Sequence, residues 1–158
     1  MAVRKETVSM WLALVIVMGF AASSNGQDKP IRKTALPRAV LKTADEQSKG
    51  ATVRGYATDT EDGKLEYEVQ MTVDGHGKDV SIDPSGNVLE VEEQVLVDKL
   101  PTEVREGLQK RAGHGRLIRV ESIVKRGQLV AYEAQVLDGS RKSEVQVGPQ
   151  GQTLNHEE

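Results

Sequence analysis

A ten-residue pattern occurs twice in this chain and limits what it can fold into. Val80, Ile82, Pro84, Gly86 and Leu89 return in the same order and spacing as Val145, Val147, Pro149, Gly151 and Leu154, at an offset of 65. Upstream the correspondence holds at an offset of 64, pairing Leu36-Pro37 with Leu100-Pro101, Val40 with Val104, Ala44 with Leu108 and Gly63 with Gly127. One unit has been used twice. Duplication doubles surface, whereas an active site needs asymmetry, so the pattern points to a binding module more than to an enzyme.

Each copy opens with helical spacing. Val40 and Ala44 lie four apart, as do Val104, Leu108 and Ala112, with Pro37 and Pro101 where the start of a helix tolerates them and Gly50 and Gly113 where it stops. The period then changes to two. Leu65, Tyr67, Val69, Met71 and Val73 alternate with Lys64, Glu66, Glu68, Gln70 and Thr72, the signature of a strand with one apolar and one wet face. Tyr132, Ala134 and Val136 repeat this against Glu133 and Gln135, and one extra residue at Val130-Ala131 absorbs the change of offset as a bulge. Asp62-Gly63, Asp74-Gly75, Arg126-Gly127 and Asp138-Gly139 read as hairpin turns.

The expected fold class is α+β. It comprises two tandem repeats, each a short helix followed by about four antiparallel strands, with the helices packed on one face of a shared sheet. Residues 1–26 read as a signal peptide: Arg4 and Lys5 precede an apolar run from Met10 to Ala22 that is short for a membrane span, followed by small residues, with cleavage after Ser23, Ser24 or Gly26. Residues 27–35 form a flexible lead-in, 36–93 the first repeat, 94–154 the second and 155–158 a tail. The chain is therefore expected in the periplasm or secreted, and contacts the membrane only during export. It has no cysteine, so its units, marginal alone at this size, are expected to share an aliphatic core.

Formal charge is −3, and the predicted signal peptide carries +1, from Arg4 and Lys5 against Glu6, which leaves −4 on the remainder. Lys and Arg are interspersed with acids throughout, which argues against nucleic acid. No Gly-x-Ser-x-Gly elbow, Walker loop or His-Glu-x-x-His helix is present. His76 and His114 both stand in Gly-His-Gly and, with Asp74 and Asp79, are the candidates for a metal site, although they occupy non-equivalent repeat positions. The acidic run at Asp59, Glu61 and Asp62 fails as an EF-hand, because the twelfth position is Val69. Glu66 and Glu68 are read as solvated, with nothing to raise either pKa. The wet strand face, Glu66, Glu68, Gln70, Glu133 and Gln135, is the candidate partner-binding surface.

The Leu-Pro-opened helices, the central Tyr67-Glu68-Val69 and Tyr132-Glu133-Ala134, and the closing strand-turn-strand together resemble the PepSY-like family, tandem modules related in fold to the beta-lactamase inhibitory proteins. The resemblance covers nearly all of residues 36–154. It implies an exported, non-catalytic protein without cofactor that binds, and inhibits or regulates, another exported protein such as a hydrolase. The alternative is an envelope module that senses a metal or small ligand. Neither the partner nor the oligomeric state follows from the residues.

Overall fold

The computed structural model describes residues 28–61 and 63–158. The predicted signal peptide and Asp62 lie outside these. Ten elements carry the fold: β1 (Lys29–Ile31), α1 (Arg38–Gln47), β2 (Thr52–Glu61), β3 (Lys64–Val73), β4 (His76–Ile82), β5 (Val88–Gln94), α2 (Thr102–Ala112), β6 (Arg116–Lys125), β7 (Gln128–Asp138) and β8 (Arg141–Val147). The eight strands make one sheet in sequence order, and every pair is antiparallel. Among the described residues no helix is long and apolar enough to cross a membrane.

Pro37 and Pro101 stand immediately before the helices, where the missing N–H is no loss. Gly113, at a φ of 61°, ends α2. The turns form as the dipeptides dictate: Asp74-Gly75 and Arg126-Gly127 have positive φ at both residues, the geometry whose twist matches antiparallel strands. The extra residue in β7 is Val130, since Ile123 pairs with Ala131 and Val124 with Leu129. Two further register shifts bulge out Arg54 in β2 and Ile118 in β6, 64 residues apart.

The sheet is shared but the core is not. Val40 and Ala44 of α1 bury with Val69, Met71, Val80 and Ile82, whereas Val104 and Leu108 of α2 bury with Val120, Ala134 and Val147. Two apolar clusters result, one under each helix. Tyr67 and Tyr132 pack at their margins, half-buried.

Two other expectations are corrected. The lead-in contains an edge strand: Lys29–Ile31 pairs with Tyr56–Thr58 of β2. Four strands follow α1 but only three follow α2, and residues 148–158 form turns and irregular chain. The strand expected at Leu154 is missing because Gln152 to Glu158 lack apolar alternation, and it would have to pair with β8 alone, whereas β5 is held by both β4 and β6.

The repeated Pro-x-Gly turn holds each helix to its strands. Gly86 has φ 89°, and a Cβ there would sit 2.9 Å from the Ala39 carbonyl oxygen in the first turn of α1; Thr43 Oγ1 donates to the Gly86 carbonyl at 2.6 Å. Gly151, at φ 77°, meets α2 at Glu103, 64 residues after Ala39, and a Cβ there would overlap the Glu103 carbonyl. Gly75 has an equally positive φ but open space around it. In urea denaturation, Gly151→Ala is therefore expected to cost about 3 kcal/mol and Gly75→Ala about 1, since only the first adds overpacking to left-handed strain.

Candidate functional site: a carboxylate-lined trough

Residues alternating with the core point to the other side of the strands. Glu66, Glu68 and Gln70 of β3 leave the face that carries Val69 and Met71 for α1, and Glu121, Glu133 and Gln146 leave the face that carries Val120, Ala134 and Val147 for α2. This side is concave where β2 and β6 end. Glu61 ends β2 and Lys125 ends β6, four strands apart, which is about 19 Å in a flat sheet. Yet Lys125 Nζ lies 3.8 Å from Glu61 and 3.4 Å from Glu90. The ends of β2 and β6 curl toward each other, close one end of a trough and leave there a cleft of about 260 Å³ lined by Glu61, Lys64, Glu66, Glu90, Lys125 and Arg126.

Concavity overturns the reading of a wet face. Glu121, Glu133 and Gln146 are only 8%, 7% and 4% exposed. Across the floor, Gln70 pairs with Asp79, Asp79 with Glu92 and Glu92 with Ile123, while Glu121 pairs with Glu133 and Glu133 with Gln146. Acids from β4, β5 and β6 thereby converge: carboxylate oxygens of Asp79, Glu92 and Glu121 lie within 4.8 Å of one another.

Two arginines compensate part of this charge. Arg54, turned into the trough by its bulge, donates from Nη2 to Asp79 at 2.7 Å and from Nε to the Met71 carbonyl at 3.2 Å. Arg119 pairs with Glu121 and lies across Gly77, where a Cβ would collide with its guanidinium. Glu68 accepts from Gln70 Nε2 at 3.1 Å, and Glu133 from Gln146 Nε2 at 2.8 Å.

The remaining charge appears as proton affinity. Burial, with Asp28 adding repulsion, pushes Glu68 up to about 7. Burial, then Glu133, Glu121 and Glu157, does the same to Glu144. Glu92, against Ile123 and hydrogen-bonded to Glu90, is raised further, by burial first and the neighbouring carboxylates second. Asp79, Glu121 and Glu133 are raised by burial against the opposing pull of Arg54, Arg119 and Gln146. Glu66 is raised too, so the expectation that nothing perturbs Glu66 or Glu68 fails.

No family model matches the sequence, nor does any curated protein sequence. Solved structures do resemble it. A protein of Bacteroides eggerthii assigned to the periplasm has a TM-score of 0.61 at 17% identity, over 75% of this chain and 86% of that one. A DUF2874 family protein of Bacteroides ovatus gives 0.59 at 20%, over 75% and 84%. A BLIP-like protein of Bacteroides fragilis gives 0.55 at 20%, again over 75% and 84%. The fold is BLIP-like. At these identities the likeness is one of fold alone.

Within this BLIP-like fold the sequence candidates separate. Glu66, Glu68, Gln70 and Glu133 line the trough, and Gln135 lies in its next row, paired with Arg119 and Glu144. The metal candidates disperse: Asp74 is in an exposed turn, His76 starts β4 opposite Val73 on the side away from Asp79, and His114 is exposed after α2. Among the described residues, the cluster that brings three metal-type donors together contains Asp79 and no histidine. Gly77 belongs to β4 and makes room for Arg119, so this Gly-His-Gly runs from the hairpin turn at Gly75 into a strand. Glu121 and Glu144 escaped the sequence reading. Their signal was acids at alternating positions on successive strands.

A folded-state carboxylate that keeps its proton to higher pH than the 4.5 of an ordinary glutamate stabilises the fold fully below 4.5 and loses that contribution as pH rises through its raised pKa. For Glu68 and Glu144 the window runs from about 4.5 to about 7. Asp83, held low by its hydrogen bonds with Asn87, is an exposed group working in the opposite sense. The melting temperature is expected to be highest near pH 5 and to fall toward pH 8. Glu68→Gln and Glu144→Gln should flatten the fall below pH 7, and Glu92→Gln should flatten it both below and above. A melting temperature that rises over this range would contradict the assignment.

Proposed function

We propose that this is an exported, non-catalytic protein of PepSY-like character that binds, and inhibits or regulates, another exported protein such as a hydrolase through the trough. Concave burial of charge carries the reading. Folding has gathered carboxylates from β3 to β8 on a side that neither helix uses for its core, an arrangement that costs stability at neutral pH and contributes nothing to the apolar clusters. Such a cost is understandable where the groups meet a ligand. Two tandem repeats supply the architecture: both helices cover one sheet face, a view supported by the pairing of Val80 with Val91 and Val91 with Val124, which puts Val80 and Val120 on the same side. Periplasmic or secreted location is supported by the predicted signal peptide and by the periplasmic assignment of the Bacteroides eggerthii protein of like fold.

The non-catalytic part rests on how the acids are engaged. Asp79 and Glu121 are bound to guanidinium groups, and Glu68 and Glu133 each accept a bond from an amide, so each carboxyl group is held by a neighbour instead of standing free for proton transfer. The same occupancy weakens the alternative of a metal-sensing module. A cation at Asp79, Glu92 and Glu121 would displace Arg54 and Arg119 and remove the proton of Glu92. Heat from a calcium titration that disappears in Glu92→Gln would favour the sensor over protein binding.

The direct test is a photocrosslinking residue at Glu144 in the trough, against one at Lys110 on exposed α2, in the exporting organism. One discrete protein adduct from position 144, absent at 110, is expected. Equal or no adducts at the two sites would remove the trough from consideration.

A further inference from the structure

Resting on the reading of the trough as the binding surface, we infer that the part of the partner it receives is an extended, arginine- or lysine-bearing segment, which takes the place of this chain's own residues 155–158. The first support is charge balance within the trough. Of the cations facing it, Arg54 is held by Asp79, Arg119 by Glu121, and Lys125 by Glu61 and Glu90. None of these three reaches Glu68, Glu92, Glu133 or Glu144 at ion-pair distance. These four stand on β3, β5, β7 and β8, so carboxyl groups run across the strands as a stripe. A cationic segment lying across the strands complements that stripe, and a neutral or acidic one does not.

The second support is independent of charge. A stretch of polypeptide already lies at the β8 end, where the backbone N–H of Glu158 donates to Gln146 Oε1 at 2.8 Å, beside the Gln146–Glu133 pair. The trough thus accepts main chain as well as side chains. Its occupant is electrostatically poor, because Glu157 adds to the repulsion that raises both Glu133 and Glu144. The amide ladder on the floor, Gln70 to Glu68 and Gln146 to Glu133, leaves acceptor positions on each carboxylate for a guanidinium or ammonium group.

The test is fluorescence anisotropy of labelled nona-arginine and nona-lysine, with a Gly-Ser peptide of equal length as control, titrated with the exported chain at pH 8 and low salt. Three proteins are compared with the unaltered chain: Glu68→Gln/Glu133→Gln/Glu144→Gln in the trough, Asp98→Asn/Glu103→Gln/Glu106→Gln around α2, and a truncation after Leu154. The two triple variants have the same net charge. A loss of at least tenfold in affinity for the trough variant is expected, with less than twofold for the α2 variant and a gain of threefold or more on truncation. If the trough triple fails to fold, half-exposed Glu144→Gln alone must weaken binding at least threefold. Equal losses in the two triples, or no cationic binding by the unaltered chain, would overturn the inference. Crosslinks from position 144 to a partner that nona-arginine does not displace would leave the trough as binding surface and discard only its cationic occupant.

Discussion

The curl of the sheet governs most of what is distinctive in this molecule. In a flat sheet the carboxylates of β3 to β8 would stand in water, separated by strand spacings and screened from one another. Drawn together until Glu61 of β2 reaches Lys125 of β6, they lose solvent and approach like charges at the same time. Both effects favour the neutral carboxyl group, so one geometric cause explains the raised pKa values of Glu68, Glu92 and Glu144, the pairing of Arg54 and Arg119, and the near-complete burial of Glu133 and Gln146. Register shifts bulge out Arg54 in β2, Leu89 in β5, Ile118 in β6 and Val130 in β7. Bulges increase local twist, which is how an open sheet acquires a hollow.

Much of this fold could be read from the residues. The helices begin after Pro37 and Pro101, the hairpins turn at the glycines, and the change in repeat offset located the β7 bulge at Val130. Each of these is decided locally, by a backbone conformation only certain residues accept or by the count between two matching patterns. What escaped was decided at a distance. Alternation showed that Glu68 and Glu133 leave the core side of their strands; whether the opposite side is open depends on how β2 lies relative to β6, which follows α2, far along the chain. The edge strand at Lys29–Ile31 was equally hidden, because a short polar segment containing Pro30 forms a strand only if β2 offers it an edge. The duplicated pattern also overstated the symmetry, since Gly151 keeps its contact with α2 while the strand that should follow lacks a second neighbour.

That contact explains why the Pro-x-Gly pattern stands out in both halves. At Gly86 and Gly151 the turn backbone comes so close to the first turn of its helix that no side chain fits, and a positive φ closes the turn at the same point. Two independent constraints on one residue leave glycine alone. The remainder of each half tolerates drift, as the replacement of Ala44 by Leu108 at matching positions shows; both are buried against the sheet.

The separation of the apolar core into two clusters has a mechanical consequence. Each half is braced by its own helix, and β5 and β6 join them through a ladder that runs from Glu90 with Lys125 to Gln94 with Glu121. A sheet bends more easily across such a seam than where a helix splints it. The seam passes beneath the convergence of Asp79, Glu92 and Glu121, so the width of the hollow and the protonation of its floor are linked: adding charge there pushes the two halves apart, and neutralising it lets them fold inward like the covers of a book about its spine.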